Sequence, residues 1–354
     1  MIRRVPHGMW AAALSGLMLG AVLYWLIWHG PDWQLVGEAF TVVEWWWIAA
    51  AIALSVCSVG ARCLSWHVVI TQAMPPPYPR FRQTFSAFSV GLLANSVLPG
   101  RIGELARVGV LASHLPNRKG IWATLTGTVF AHRLFDLFPA TLLLIYVLQT
   151  ARIPHWALTS LVLFVGIGAT LFAFAMAGAK RHQRTRLADA DRQLHRLVTM
   201  ARTGLGVLRA PVPAVGAALL QMLGWAFQLA EIYVAMRAFG IHESLPAAAL
   251  VLALMNVATV FPLWPGNVGL VQAAVALPLV SYGVAKARGF AFGIGLQAID
   301  VGVGVGLGLI ALGREGVTFA MLRRMPGPGE EVEREERAEA EAAPEARASA
   351  RVPG

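Results

Sequence analysis

Long apolar runs, more than any motif, decide what this chain can fold into. Residues 9–29, 45–70, 120–149, 155–179, 211–240 and 289–312 carry almost no charge. Each is about as long as, or longer than, the ~20 residues that cross the hydrocarbon core of a bilayer as a helix. Within hydrocarbon each backbone N–H and C=O must find its partner inside the protein, which makes such runs helical. The rest of the composition agrees: of 354 residues 57% are hydrophobic and 14% charged, and the mean hydropathy is +0.61. A soluble domain would carry about 25% charged residues. The expected fold class is therefore an all-α polytopic membrane protein with about six full transmembrane helices. The first run follows Arg3 and Arg4 but ends in "YWLIWHG" without a small-residue cleavage site. It is read as a retained anchor rather than a signal peptide.

Charge sets the expected topology. The tail after Met325 holds eight Glu and four Arg, so the chain's 29 basic and 19 acidic residues leave 25 and 11 for residues 1–325. Eight of those cations crowd the loop 180–210 between two apolar runs, with no aromatic among them on which a nucleic-acid base could stack. The excess reads as cytoplasmic loop charge, not a nucleic-acid footprint. The 30–44 loop, with Asp32, Glu38 and Glu44 and no Lys or Arg, reads as external. Both termini are then cytoplasmic, in a bacterial cytoplasmic membrane, and the 180–210 loop is placed to meet anionic lipid headgroups. The tail, 326–354, is rich in Glu, Ala and Arg, poor in apolar residues, and expected to be disordered. It leaves 1–325 as the transmembrane domain.

This topology closes on one condition. The segments 85–98 and 102–115 must enter and leave from the cytoplasmic side, and 246–262 and 268–283 from the outside. Each is too short for a comfortable span. Each pair is broken by Pro and Gly: Pro99, Gly100 and Gly103 in the first, Pro262, Pro265, Gly266 and Gly269 in the second. Broken backbone at membrane depth survives only where protein buries it or where it lines a cavity. Two oppositely oriented re-entrant helical hairpins, 85–115 and 246–283, are a sequence pointer to a transporter's midplane site. Lys286 and Arg288 fall on the outside in this scheme, and a fully spanning second hairpin would change the parity.

Four of the 11 acidic residues outside the tail lie within apolar segments: Glu104, Asp136, Glu231 and Asp300. Unpaired at the bilayer centre each would cost at least ~2.5 kcal/mol, so each needs a partner or a cavity. Arg101, Glu104 and Arg107 recur at i, i+3 and i+6 after the Pro-Gly break and share one side of a short helix. Such a net-positive patch at a helix start suits a lipid phosphate. The bland alternative is an Arg–Glu lock that holds the hairpin. His132, Arg133 and Asp136 occupy one turn of the next run, either as a self-neutralised pair or as a proton-linked element. Glu231 shares a face with Gln221 and Gln228, and Asp300 lies one turn after Gln297; both read as polar seams facing the bundle interior. Arg62 reads as a snorkelling residue near a span end. Gly302/Gly306 and Gly304/Gly308 read as close-packing pairs. Cys57 and Cys63 read as packing residues in one apolar helix. No metal-spaced cluster and no serine nucleophile elbow appears, so no metal, no cofactor and no enzyme activity is expected.

At these residues the chain resembles the lysylphosphatidylglycerol synthase/flippase transmembrane family. Asn95, Pro99, Arg101, Gly103, Glu104 and Arg107 are similar to its first signature, "RLFD" (Arg133 to Asp136) to its second, and "PLWPGNVGLVQAA" (Pro262 to Ala274) to its third. Roughly residues 10–315 are covered. His132 and Gln272 stand where the family usually has Glu, and Asn267 where it has Gly, so an ion-coupled mechanism is not carried over. The family's soluble aminoacyl-transferase domain has no counterpart here. The resemblance implies a stand-alone flippase-like module. Asn95, Arg101, Glu104 and Arg107 then contact the headgroup of a phospholipid or polyprenyl-phosphate-linked glycolipid, and His132, Arg133, Asp136, Glu231, Gln272 and Asp300 form a supporting polar network. Two other functions stay open: a non-catalytic scaffold for a lipid synthase partner, and an integral-membrane glycosyl or lipid transferase with Glu104 or Asp136 as base. A homo-oligomer is also open.

Overall fold

The computed structural model describes residues 31–98, 102–116, 121–156, 158–159, 211–260 and 267–315, with Gly16, Gly20 and Tyr24. Among these residues the chain forms helices and no strand. Four helices are long and apolar enough to cross a membrane: α2 (Trp45–Ala73), α5 (Ile121–Thr150), α6 (Pro211–Ala238) and α9 (Lys286–Glu315). They coincide to within about a turn with four of the six expected spans. The other two expected spans, 9–29 and 155–179, fall almost wholly outside the described residues, as do the 180–210 loop and the tail.

The two Pro/Gly-broken segments fold as helix pairs. The first comprises α3 (Phe81–Val97) and α4 (Gly103–Ser113), the second α7 (Leu245–Val260) and α8 (Leu270–Val280). In the first pair Gly91 sits against Gly103 and Arg107, while Asn95, further along α3, sits against Gly103. That reversed order makes the pair antiparallel. A Cβ on Gly103 would lie 2.0 Å from the Gly91 carbonyl oxygen and 2.6 Å from Asn95 Oδ1, so only glycine fits at this crossing. In the second pair the break ends on Asn267 at φ +45° and Gly269 at φ +89°. Asn is the side-chain-bearing residue that best tolerates the left-handed region, which accounts for Asn267 at a position where the resembled motif has Gly. Its Nδ2 donates to the Ala258 carbonyl, 3.0 Å, and ties the break back to α7. Pro99, Gly100, Pro262, Pro265 and Gly266 lie outside the described residues.

The 30–44 segment differs from the expected loop. It holds α1 (Trp33–Thr41), whose start is capped by the Asp32 carboxylate accepting from Gln34 N at 2.9 Å. Val36 and Ala39 are buried on its inner face, and Phe40 meets Phe239 edge to face at 5.6 Å. One of the three acidic residues is a helix cap and not loop charge.

Small and hydroxylated residues bring the long helices together, as expected where lipid removes the hydrophobic drive between helices. Ser58 Oγ donates to Gly224 O at 2.7 Å and Ser65 Oγ to Ala217 O at 2.8 Å, so α2 and α6 run antiparallel in close contact. On α9, Gly304 faces Ser96 and Gly308 faces Leu93 and Ser89 of α3. The other glycine pair does not pack: around Gly302 and Gly306 an added Cβ would meet nothing. Both line an apolar cleft of about 550 Å³ between α9, α1 and the first half of α2.

A charged cavity inside the helix bundle

Polar side chains from six helices, α2, α3, α4, α5, α6 and α9, line a cavity of about 250 Å³. Each comes from a position that helical periodicity turns inward. On α2, Ser55, Ser58, Arg62 and Ser65 follow a 3-4-3 spacing and form a polar stripe facing α6. Gly224 of α6 makes room for it, since a Cβ there would meet Arg62 Cγ at 2.7 Å.

The ionic part is a chain of alternating charges. Glu104 of α4 pairs with Arg107 one turn on and, across the helix boundary, with Arg133 of α5. Arg133 also reaches Asp136 Oδ2 at 3.3 Å. The other carboxylate oxygen of Asp136 accepts from Trp225 Nε1 at 2.9 Å and from Gln221 Nε2, both on α6. The Arg107 guanidinium, only 4% exposed, lies over Trp66 at 4.7 Å and Phe88 at 5.6 Å. Aromatic faces stabilise a desolvated cation that one carboxylate only partly compensates.

On the opposite wall Arg62 bonds Gln228 Oε1 and lies over Trp225 at 5.5 Å. Arg62 is therefore a wall of the cavity and not a snorkelling residue. His132 donates from Nε2 to the Arg62 carbonyl at 3.1 Å, which leaves its buried Nδ1 as an acceptor without a partner. Glu231 faces Asp300 of α9 and the Ser55 hydroxyl. Glu231 Oε1 and Gln221 Oε1 are likewise buried and unpaired. The cavity thus presents polar atoms that the protein itself does not satisfy. In a sealed core each orphaned polar group would cost about 1–3 kcal/mol, which marks this cavity as the candidate site.

The structure thus brings together Glu104, Arg107, His132, Arg133, Asp136, Glu231 and Asp300, which the sequence left on separate helices. Three guanidiniums meet four carboxyls, so the site is of mixed charge where Arg101, Glu104 and Arg107 alone gave a net-positive patch. Arg101 lies outside the described residues. Asn95 and Gln272 occupy structural posts. Asn95 Oδ1 accepts from Gly103 N at 2.9 Å and holds the first turn of α4. Gln272 accepts from Gly269 N at 2.5 Å and donates to Gln297, fastening α8 to α9 away from the cavity. The residues that sequence reasoning missed are Arg62 and the aromatic floor of Trp66, Phe88 and Trp225. The serine spacing on α2 was the available signal for Arg62.

Comparison with known proteins places this architecture. A "UPF0104 membrane protein" of Methanothermobacter thermautotrophicus is 27% identical over 291 residues, covering 77% of this chain and 83% of that protein. No solved structure matches the chain. The family model described as the lysylphosphatidylglycerol synthase TM region matches residues 10–308, and with its two broken hairpins and charged interior this integral membrane protein belongs to that family.

Proposed function

We propose that the chain moves a lipid across its membrane, taking the headgroup into the charged cavity and keeping the hydrocarbon chains in contact with apolar surface. One observation carries this reading. The charged cavity and the apolar cleft share Val303 as a lining residue, and α2 and α9 contribute walls to both. A polar hollow beside an apolar slot is complementary to an amphiphile and to neither a soluble ion nor a fully apolar molecule. The mixture of charges narrows the headgroup. Arg107 and Arg133 suit a phosphate, Arg through its planar fork, but the phosphate must compete with Glu104 for them. A headgroup with hydroxyl or amino groups for Asp136, Gln221 and Glu231 offsets that competition, and phospholipids and polyprenyl-phosphate-linked glycolipids both qualify. The hairpin break places Glu104 and Arg107 on a short helix inside the bundle, the placement in which a half-helix serves a midplane site. This reading makes the chain a transporter and not an enzyme. A pure scaffold gives no reason to maintain orphaned polar atoms inside the bundle.

The test is a headgroup-accessibility assay in proteoliposomes with fluorescent phospholipid. Arg133 is half exposed at its side chain, so Arg133→Gln leaves the fold standing while removing a cation from the cavity. Asp136→Asn removes the charge that pairs with Arg133 while its amide oxygen can still accept from Trp225 and Gln221. Both variants, and Arg101→Ala, are expected to purify as monodisperse protein and to lose most lipid movement. Stable Arg133→Gln protein that moves lipid at the wild-type rate overturns the assignment.

A further inference from the structure

A second polar hollow lies at the end of the bundle, on α3 and α9, with a lining distinct from that of the charged cavity. Because α9 runs antiparallel to α3, with Gly304 beside Ser96 and Gly308 beside Leu93 and Ser89, its C-terminal turns come level with the start of α3. Between them is a cavity of about 340 Å³ whose wall carries Arg80, Arg82, His114 and Arg314. Among the described residues no carboxylate lines it and none of the three arginines has an acidic partner. Three guanidiniums gathered around one concavity repel one another unless an anion joins them.

Two further features point to a ligand rather than to scattered interfacial charge. The Ser86 hydroxyl lines the hollow, is 7% exposed and has no hydrogen-bond partner. The hollow also lies at the N-terminus of the 17-residue helix α3, where free N–H groups and the positive end of the helix dipole favour an oxyanion. The remaining wall is apolar and open: Phe81 is 38% exposed and Ile310 56% exposed. A free phosphate has no use for that surface, whereas hydrocarbon chains do.

We infer that this hollow holds the phosphate headgroup of an anionic membrane lipid, with its chains lying along Phe81 and Ile310. Basic residues at a membrane–water boundary attract anionic lipid in general, but here the arginines, the buried hydroxyl and the helix start line one hollow. The site is separate from the proposed transport cavity. The two hollows share no lining residue, and Ser86 and Phe88, which line one each, are two positions apart on α3 and so point to different sides of it. The inference therefore stands whether or not the chain moves lipid.

Native mass spectrometry of the full chain in detergent tests it, titrating dihexanoyl phosphatidylglycerol, dihexanoyl phosphatidylcholine and inorganic phosphate separately. One phosphatidylglycerol is expected to bind, with phosphatidylcholine and phosphate each at least about tenfold weaker. Arg82→Gln and Arg314→Gln, both at exposed side chains, should each weaken that binding by about tenfold, the loss of one charge-assisted contact. Arg184→Gln with Arg186→Gln in the basic loop should leave it intact. Equal affinity for phosphatidylcholine removes the anion requirement, and equal affinity for inorganic phosphate removes the lipid. A double variant Arg82→Gln/Arg314→Gln with wild-type affinity, or loss of binding through the loop variant alone, assigns the lipid elsewhere. Each of these four results overturns the inference.

Discussion

Glu104 is the hinge of the ionic chain, because it alone separates two arginines that belong to different helices. Glu104→Gln keeps its size and leaves Arg107 and Arg133 facing each other. With a separation of roughly 6 Å and an effective dielectric of about 20, Coulomb's law gives on the order of 3 kcal/mol of repulsion. Arg133 is 49% exposed at its side chain, and solvent screening reduces that to about 1–2 kcal/mol. Lowered thermal stability of the single variant would not by itself identify repulsion as the cause, so the assay is a cycle. Glu104→Gln, Arg107→Gln and the pair are compared by thermal unfolding of purified protein in one detergent. Changing Arg107 removes one of the two repelling cations, so the double variant should be about 1–2 kcal/mol more stable than the sum of the singles. An anionic lipid should also stabilise Glu104→Gln more than the wild type, since a phosphate can replace the missing carboxylate between the arginines. Singles that add within about 0.5 kcal/mol, with no differential effect of anionic lipid, refute the bridging role.

Further expectations concern packing and topology. Gly308→Ala drives a methyl to within 2.3 Å of Leu93 Cβ and 2.9 Å of the Ser89 carbonyl oxygen, and should destabilise by about 1–3 kcal/mol. Gly306→Ala meets nothing and should gain up to about 1 kcal/mol from helix propensity, read in the same unfolding assay. At φ +45°, Asn267→Gly should be tolerated and Asn267→Val should lose about 1–2 kcal/mol, measured as recovery of folded protein on heating. Cysteines introduced in 30–44 should label from outside intact cells and those in 180–209 only after permeabilisation; the reverse pattern inverts the orientation. Truncation after Met325 should leave expression and lipid movement unchanged.

What the sequence revealed, and what it withheld, follows from the range of the forces involved. The four long helices were legible because hydrocarbon forces backbone hydrogen bonding to be local, so length and hydropathy suffice. The hairpins were legible for the same reason in reverse: Pro and Gly forbid continuation at the places where the chain turns. Helix α1 was missed because nine residues are too few to span a membrane and lie between Asp32 and Glu44, so they read as a loop. Its stability comes from Asp32 and from burying Val36 and Ala39, and the burial is tertiary. The contents of the site were legible in kind, since every charge in an apolar run needs a reason, but their meeting was not. Nothing local joins Glu104 to Arg133 or Asp136 to Trp225; only helix packing does.

The most informative discrepancy is Arg62. Alone near the end of an apolar run, it resembled a residue reaching for the interface. Its neighbours at Ser55, Ser58 and Ser65 belong to the same helical stripe, and two of these bond α6 backbone carbonyls directly. A stripe that is polar along its length must be buried against another helix, so the arginine within it faces protein. Such an arginine cannot snorkel without breaking the α2–α6 contact, and Gly224 exists to give its stem room. The same reasoning separates Gln272 from the site. A glutamine three residues after a positive-φ glycine is placed to accept that glycine's N–H, and capping uses the side chain that the resembled motif would have offered to a ligand. Charge in a membrane helix marks a need for partners; the periodicity of its neighbours says whether those partners are water, lipid or another helix.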